Sequence, residues 1–110
     1  MDKETFMIEV ENSHNRSKRV LLKKGEEYTL GKNRLDQFYR TGTVQAISPT
    51  SALVGMMAKH FTSISDMARD PSEHDIKKWN EKITDLRNYT YLLDALVRDM
   101  EDQGDFRRIE

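Results

Sequence analysis

The stretch from Pro71 to Asp102 constrains the fold most. Ile76, Trp79, Ile83, Leu86, Leu93, Val97 and Met100 recur at alternating steps of three and four, and Thr90 is the one break. That is the period of one helix face. Ser72, three residues before Asp75, predicts a start of the capping-box kind, and Gly104 predicts the stop. A helix over 72–102 would be roughly 45 Å long at about 1.5 Å per residue. Other helices, or a second copy of the chain, must pack along it. It carries a second face as well. Glu81, Asp85 and Asn88 form a polar line opposite the first stripe, and Tyr89, Leu92 and Leu96 turn the same side apolar. A helix of this pattern is expected to be covered from two directions, with the polar line at the edge of the second surface.

The remainder of the chain reads as further helices. Phe6, Val10, Val20 and Leu21 mark the apolar side of a first helix over 2–24. Its middle lacks any large apolar residue and predicts a solvated face. The competing reading makes Asn12, His14, Asn15 and Arg16 the lining of a polar pocket. Residues 25–34 read as a glycine-bounded loop. Tyr28 sits there among Lys23, Lys24, Lys32 and Arg34, where an aromatic ring can stack on a base while cations meet phosphate. A short helix follows over 35–46, with Leu35, Phe38, Tyr39 and Val44 as burial candidates and Gly42 weakening it. Ser48-Pro49 is a helix start, Ser as N-cap and Pro in the first turn. The helix over 49–69 has a stripe of Leu53, Met57, His60, Ile64 and Met67 with Phe61 beside it, and a polar line of Lys59, Ser63 and Asp66 opposite. Asp70-Pro71 ends it. The tail is 103–110, and its residues from Asp105 are expected to fray.

These elements fit a single all-α domain over 1–110, a four-helix bundle-like arrangement with a long C-terminal helix. A composition of 36% hydrophobic against 34% charged residues supports a modest core and favours a homo-oligomer. A net charge of −1 gives no field that would draw the chain to a membrane or to nucleic acid. The absence of cysteine excludes disulfides and zinc–thiolate sites. With no apolar run near 18 residues, the expected location is the cytoplasm, without membrane partners.

Five segments occur in order: Lys24-Gly25-Glu26-Glu27-Tyr28, Asn33-Arg34-Leu35-Asp36-Gln37-Phe38, Ser48-Pro49, residues 57–66, and residues 79–89 with Asp85-Leu86-Arg87-Asn88-Tyr89. In this the chain resembles small phage and prophage proteins of unknown function. It is distantly similar to the phage nucleotide-modification-associated domains, in which a K-x-x-x-Y segment precedes a helix and a closing helix carries D-x-x-N-Y. The resemblance implies nucleotide-related phage biology inside a host cell. A second, weaker similarity is to the all-α nucleoside triphosphate pyrophosphohydrolases, whose paired carboxylates on facing helices hold Mg²⁺ against a triphosphate. Glu81 and Asp85 would be one such pair, with Asp66 or Glu27 completing the Mg²⁺ site; a second proper pair is missing.

Three functions follow as expectations. The first is a nucleotide-binding protein that captures a cyclic or other nucleotide-derived immune signal without turnover, as a counter-defence device. Its ligand residues would be Lys23, Tyr28, Lys32, Arg34, Lys59, His60, Asp85 and Asn88, with no catalytic residue, metal or cofactor. The second is the Mg²⁺-dependent pyrophosphohydrolase. The third is a structural module whose long helix meets a partner protein.

Overall fold

The structure, a computed structural model, describes residues 1–29 and 33–106, with the side chains of all of these but 25–29. Four helices follow one another: α1 (Lys3–Thr29), α2 (Asp36–Gln45), α3 (Pro49–Arg69) and α4 (Ile76–Asp102). A 3₁₀ turn, Pro71–Glu73, joins the last two, and no strand occurs among the described residues. The fold is the all-α, bundle-like one that the sequence predicts. Lys32 lies outside the described residues, as does the side chain of Tyr28.

Local chemistry sets the helix ends. Ser48 caps α3 by accepting from the Ser51 backbone N–H at 3.1 Å. Asp75, rather than Ser72, caps α4, accepting from Lys78 N–H at 2.8 Å. Ser72 instead lies in the 3₁₀ turn, which Trp79 pins by donating its indole N–H to the Pro71 carbonyl at 3.0 Å. At the far end of α4, Gly104 adopts φ +79°, and the Gly104 and Asp105 N–H groups return to Glu101 and Met100. This is the left-handed cap expected from the sequence. Phe106, within the segment expected to fray, packs against the core. Residues 107–110 lie outside the described residues. Helix α1 does not stop at Gly25 but continues to Thr29. Glu26 and Glu27 are good helix formers, and one interior glycine costs only about 1 kcal/mol.

The core joins Leu35 and Phe38 of the α2 region, Leu53 of α3, and Leu92, Leu96 and Met100 of α4. On α4 the buried row is Thr84, Asn88, Leu92, Leu96 and Met100. The expected stripe is largely elsewhere: Ile76 is 74% exposed, and Ile83 and Val97 also face solvent. A row of fours winds about 40° round the helix per step, whereas alternating threes and fours run straight. The α4 partners therefore follow the winding ridge, as helices that cross at an angle do. On α3 the predicted stripe holds, with Leu53 and Met67 buried, while Phe61 beside it is 61% exposed. Val44, a burial candidate on α2, is exposed.

Helix α4 is covered from two directions, by α3 on one side and α1 on the other. The α1 contact is polar at its centre. Ser17 is fully buried, and Arg87 donates to its hydroxyl at 2.7 Å and to the Ser13 carbonyl at 2.9 Å. His14 Nδ1 and Tyr91 Oη lie 2.8 Å apart one turn further along. The expected apolar side of α1 reaches the core only through Leu21, since Phe6 and Val10 are exposed. The radius of gyration of 16.4 Å exceeds the value of about 13 Å typical of a compact domain of this size, and residues 1–12 are all exposed.

Two substitutions test this packing. A Cβ on Gly42 would sit 2.8 Å from the Ile47 carbonyl oxygen and 3.2 Å from Pro49 N, both backbone atoms. Gly42→Ala is expected to lose about 1–3 kcal/mol in chemical denaturation despite alanine's better helix propensity. Arg87→Ala strands the buried Ser17 hydroxyl and is expected to cost about 2–3 kcal/mol. Ser17→Ala in the same chain should recover part of that loss, measured as a double-mutant cycle.

Candidate functional site

The upper half of the buried α4 row is polar, and a cavity opens where it leaves the core. Asp85, Asn88, Tyr89 and Leu92 are spaced i, i+3, i+4 and i+7, so one helix face presents all four. Helix α1 adds Leu21 and Lys24, one turn apart, and α3 adds His60. The segment leading into α2 supplies Arg34, and its first turn supplies Gln37. Together these residues enclose a cavity of about 240 Å³.

The cavity joins groups of distinct chemistry. Lys24 and Asp85 form an ion pair at 3.3 Å. Asn88 is only 6% exposed, yet among the described residues neither its amide nitrogen nor its oxygen has a hydrogen-bond partner. The Arg34 Nε and Nη1 atoms are buried and equally unpartnered among the described residues. Native proteins satisfy nearly all such groups, and an unpaired buried amide costs about 1–3 kcal/mol. His60 and Tyr89 stack at 4.9 Å with a 34° tilt and give the cavity an aromatic wall. Burial lowers the His60 pKa below its ordinary 6.5. Asp85 opposes that shift, and Lys59, Lys82 and Lys24 reinforce it.

Four expected ligand residues, Arg34, His60, Asp85 and Asn88, thus meet in one cavity. Lys23 does not; it faces a neighbouring groove between α1 and α4. Lys59 is exposed on α3 and reaches the site only through its charge on His60. Lys32 and the Tyr28 side chain lie outside what the structure describes. The sequence reading missed Lys24, Gln37, Leu21, Tyr89 and Leu92 as cavity residues. Lys24 and Tyr89 were nevertheless flagged, as the first letter of K-x-x-x-Y and the last of D-x-x-N-Y. All three fixed letters of the latter motif line the cavity.

Of the carboxylates considered for Mg²⁺, Glu81 and Asp85 border the same groove. Asp66 is exposed on α3, and the side chain of Glu27 is not described. No group of three or more His, Asp or Glu side chains suited to a metal occurs among the described residues. Among the four residues expected to line a pocket on α1, Arg16 borders the α1–α4 groove and His14 a separate cleft beside Tyr91. Asn12 and Asn15 are exposed. No helix among the described residues is long and apolar enough to cross a membrane.

Comparison with known protein families, curated proteins and solved structures finds no match to this chain. The phage and pyrophosphohydrolase resemblances accordingly rest on the short motifs alone.

The His60 environment makes a pH prediction. Its folded pKa lies below the unfolded value, so stability is complete above about pH 6.5. As pH falls from there through the folded pKa, the unfolded chain takes up the proton first and stability is lost. Denaturation midpoints of wild type and His60→Phe, measured from pH 7.5 to 5, should diverge in slope, the variant losing less. Parallel profiles would show that His60 is not the group responsible.

Proposed function

We propose that this chain is a binding protein that captures a nucleotide-class ligand in the cavity beside α4 without turning it over. The observation that carries the reading is the Asn88 amide and the Arg34 Nε and Nη1 atoms, buried around one space and without hydrogen-bond partners among the described residues. A guanidinium fork matches the oxygens of a phosphate. An amide offers a donor and an acceptor together, the pattern that a base edge presents. The tilted His60–Tyr89 pair and the Leu21 and Leu92 side chains provide the flat, apolar surface that a base needs. The motif resemblance points to the same ligand class, and it alone carries the phage counter-defence setting.

A thermal-shift series with nucleoside monophosphates and cyclic mononucleotides tests this. A ligand at a hundred times its Kd stabilises by about 2.7 kcal/mol. For a domain of this size that is a rise of roughly 10 °C or more. Arg34→Ala should abolish the shift. Asn88→Leu should abolish it too, while raising the unliganded midpoint, because an unpaired amide leaves the interior. The ligand should be recovered unchanged after heat denaturation. A midpoint that no nucleotide moves would overturn the proposal, and recovery of a cleaved product would overturn capture without turnover.

A further inference from the structure

The cavity has a neighbour. Between α1 and α4 runs a more open groove of about 530 Å³, bordered by Arg16, Lys23 and Lys77, with Asn80 and Glu81. Lys24 and Asp85 line both spaces, so their ion pair is the wall between them. Cations outnumber carboxylates along the groove, and Arg16 keeps a buried Nε without a partner among the described residues while its Nη2 donates to Ser13 Oγ at 3.1 Å and lies 3.6 Å from Glu9. The enclosed cavity alone, at 240 Å³, falls below the roughly 300–1,000 Å³ of ordinary small-molecule sites, whereas the two spaces joined fall within it.

The wall can yield at its lysine end. The Lys24 side chain is 42% exposed and that of Asp85 18%, so an anion in the groove reaches the ammonium. A phosphate arriving at Lys24 competes directly with Asp85 for the ammonium. We infer that the ligand carries two phosphate groups separated by at least one sugar, as in a nucleoside 3′,5′-bisphosphate or a dinucleotide. One phosphate meets Arg34 in the enclosed cavity, and the other meets Arg16 and Lys77 in the groove. This assignment rests on the nucleotide-capture reading and extends it. The Asp85 carboxylate then opposes binding, since it holds Lys24 in the free protein and repels the incoming anion.

Isothermal titration with nucleoside 5′-monophosphates and with 3′,5′-bisphosphates of the same bases tests it. The bisphosphate of the preferred base is expected to bind at least tenfold more tightly than the monophosphate. Lys77→Gln, a change at an exposed position, should remove most of that advantage and leave monophosphate binding unchanged. Arg16→Gln should act in the same direction. Asp85→Asn should tighten bisphosphate binding severalfold. Equal affinity for the two ligands, or an advantage that survives both groove substitutions, overturns the two-phosphate assignment and leaves the capture reading standing. Binding of neither ligand overturns both.

Discussion

The structure depends on how α4 divides one buried row between two chemistries. From Leu92 to Met100 the row is apolar and meets Leu35, Phe38 and Leu53 in a continuous core. From Thr84 to Asn88 the same row is polar yet buried. Apolar side chains can close against one another without directional partners, whereas a buried amide needs them. The core closes over the lower half, and the cavity lies beside the polar half, where Asp85, Asn88 and Tyr89 line it.

Helix α1 is fitted to the polar half. An apolar α1 would have closed over Asn88 and left it without any possible partner. The chain instead meets α4 through Arg87, Ser13 and Ser17, and through the pair of Lys24 with Asp85. These contacts are directional, so they fix the position of α1 without filling the space beneath it. The tyrosine on the other side of α4 plays a comparable part. Tyr39 donates to Asp99 at 2.7 Å, and its hydroxyl is pushed up to about 12 by burial and by that carboxylate. It ties α2 to the lower end of α4 and keeps the core end closed while the other end is open.

The helices and their ends were legible in the sequence because their signals are local. Ser48-Pro49, Gly104 and the α3 stripe each state a backbone or packing preference within one or two turns. The buried face of α4 was harder to read, because two apolar rows compete on it. Which row wins is decided by the crossing geometry with α3, a tertiary quantity that a straight 3-4 count cannot contain. The site was legible to a similar depth. Arg34, His60, Asp85 and Asn88 stood out as polar or titratable residues near apolar patterns, and they converge. Lys23 and Lys24 differ by one residue, 100° on the helix, and only the placed partner helix tells which of them lines the cavity. Gly42 read as a weakness of α2, while in the structure it lets the backbone at Ile47 and Pro49 approach it.

The unsatisfied groups raise the question of why a chain with so modest a core tolerates them. The 110 residues carry nearly as much charge as apolar content, and only eight hydrophobic residues are buried among those described. A domain of this kind has few kcal/mol in reserve. The Asn88 amide and the Arg34 Nε and Nη1 atoms, without partners among the described residues, draw on that margin in the free state. Leucine at position 88 would fit the run of Leu92 and Leu96 below it and remove much of that cost. The penalty exists only while the space is empty of hydrogen-bonding partners. On the capture reading, a ligand that satisfied both groups would gain what the free protein lacks, and the cost of the buried amide and guanidinium would reappear as affinity.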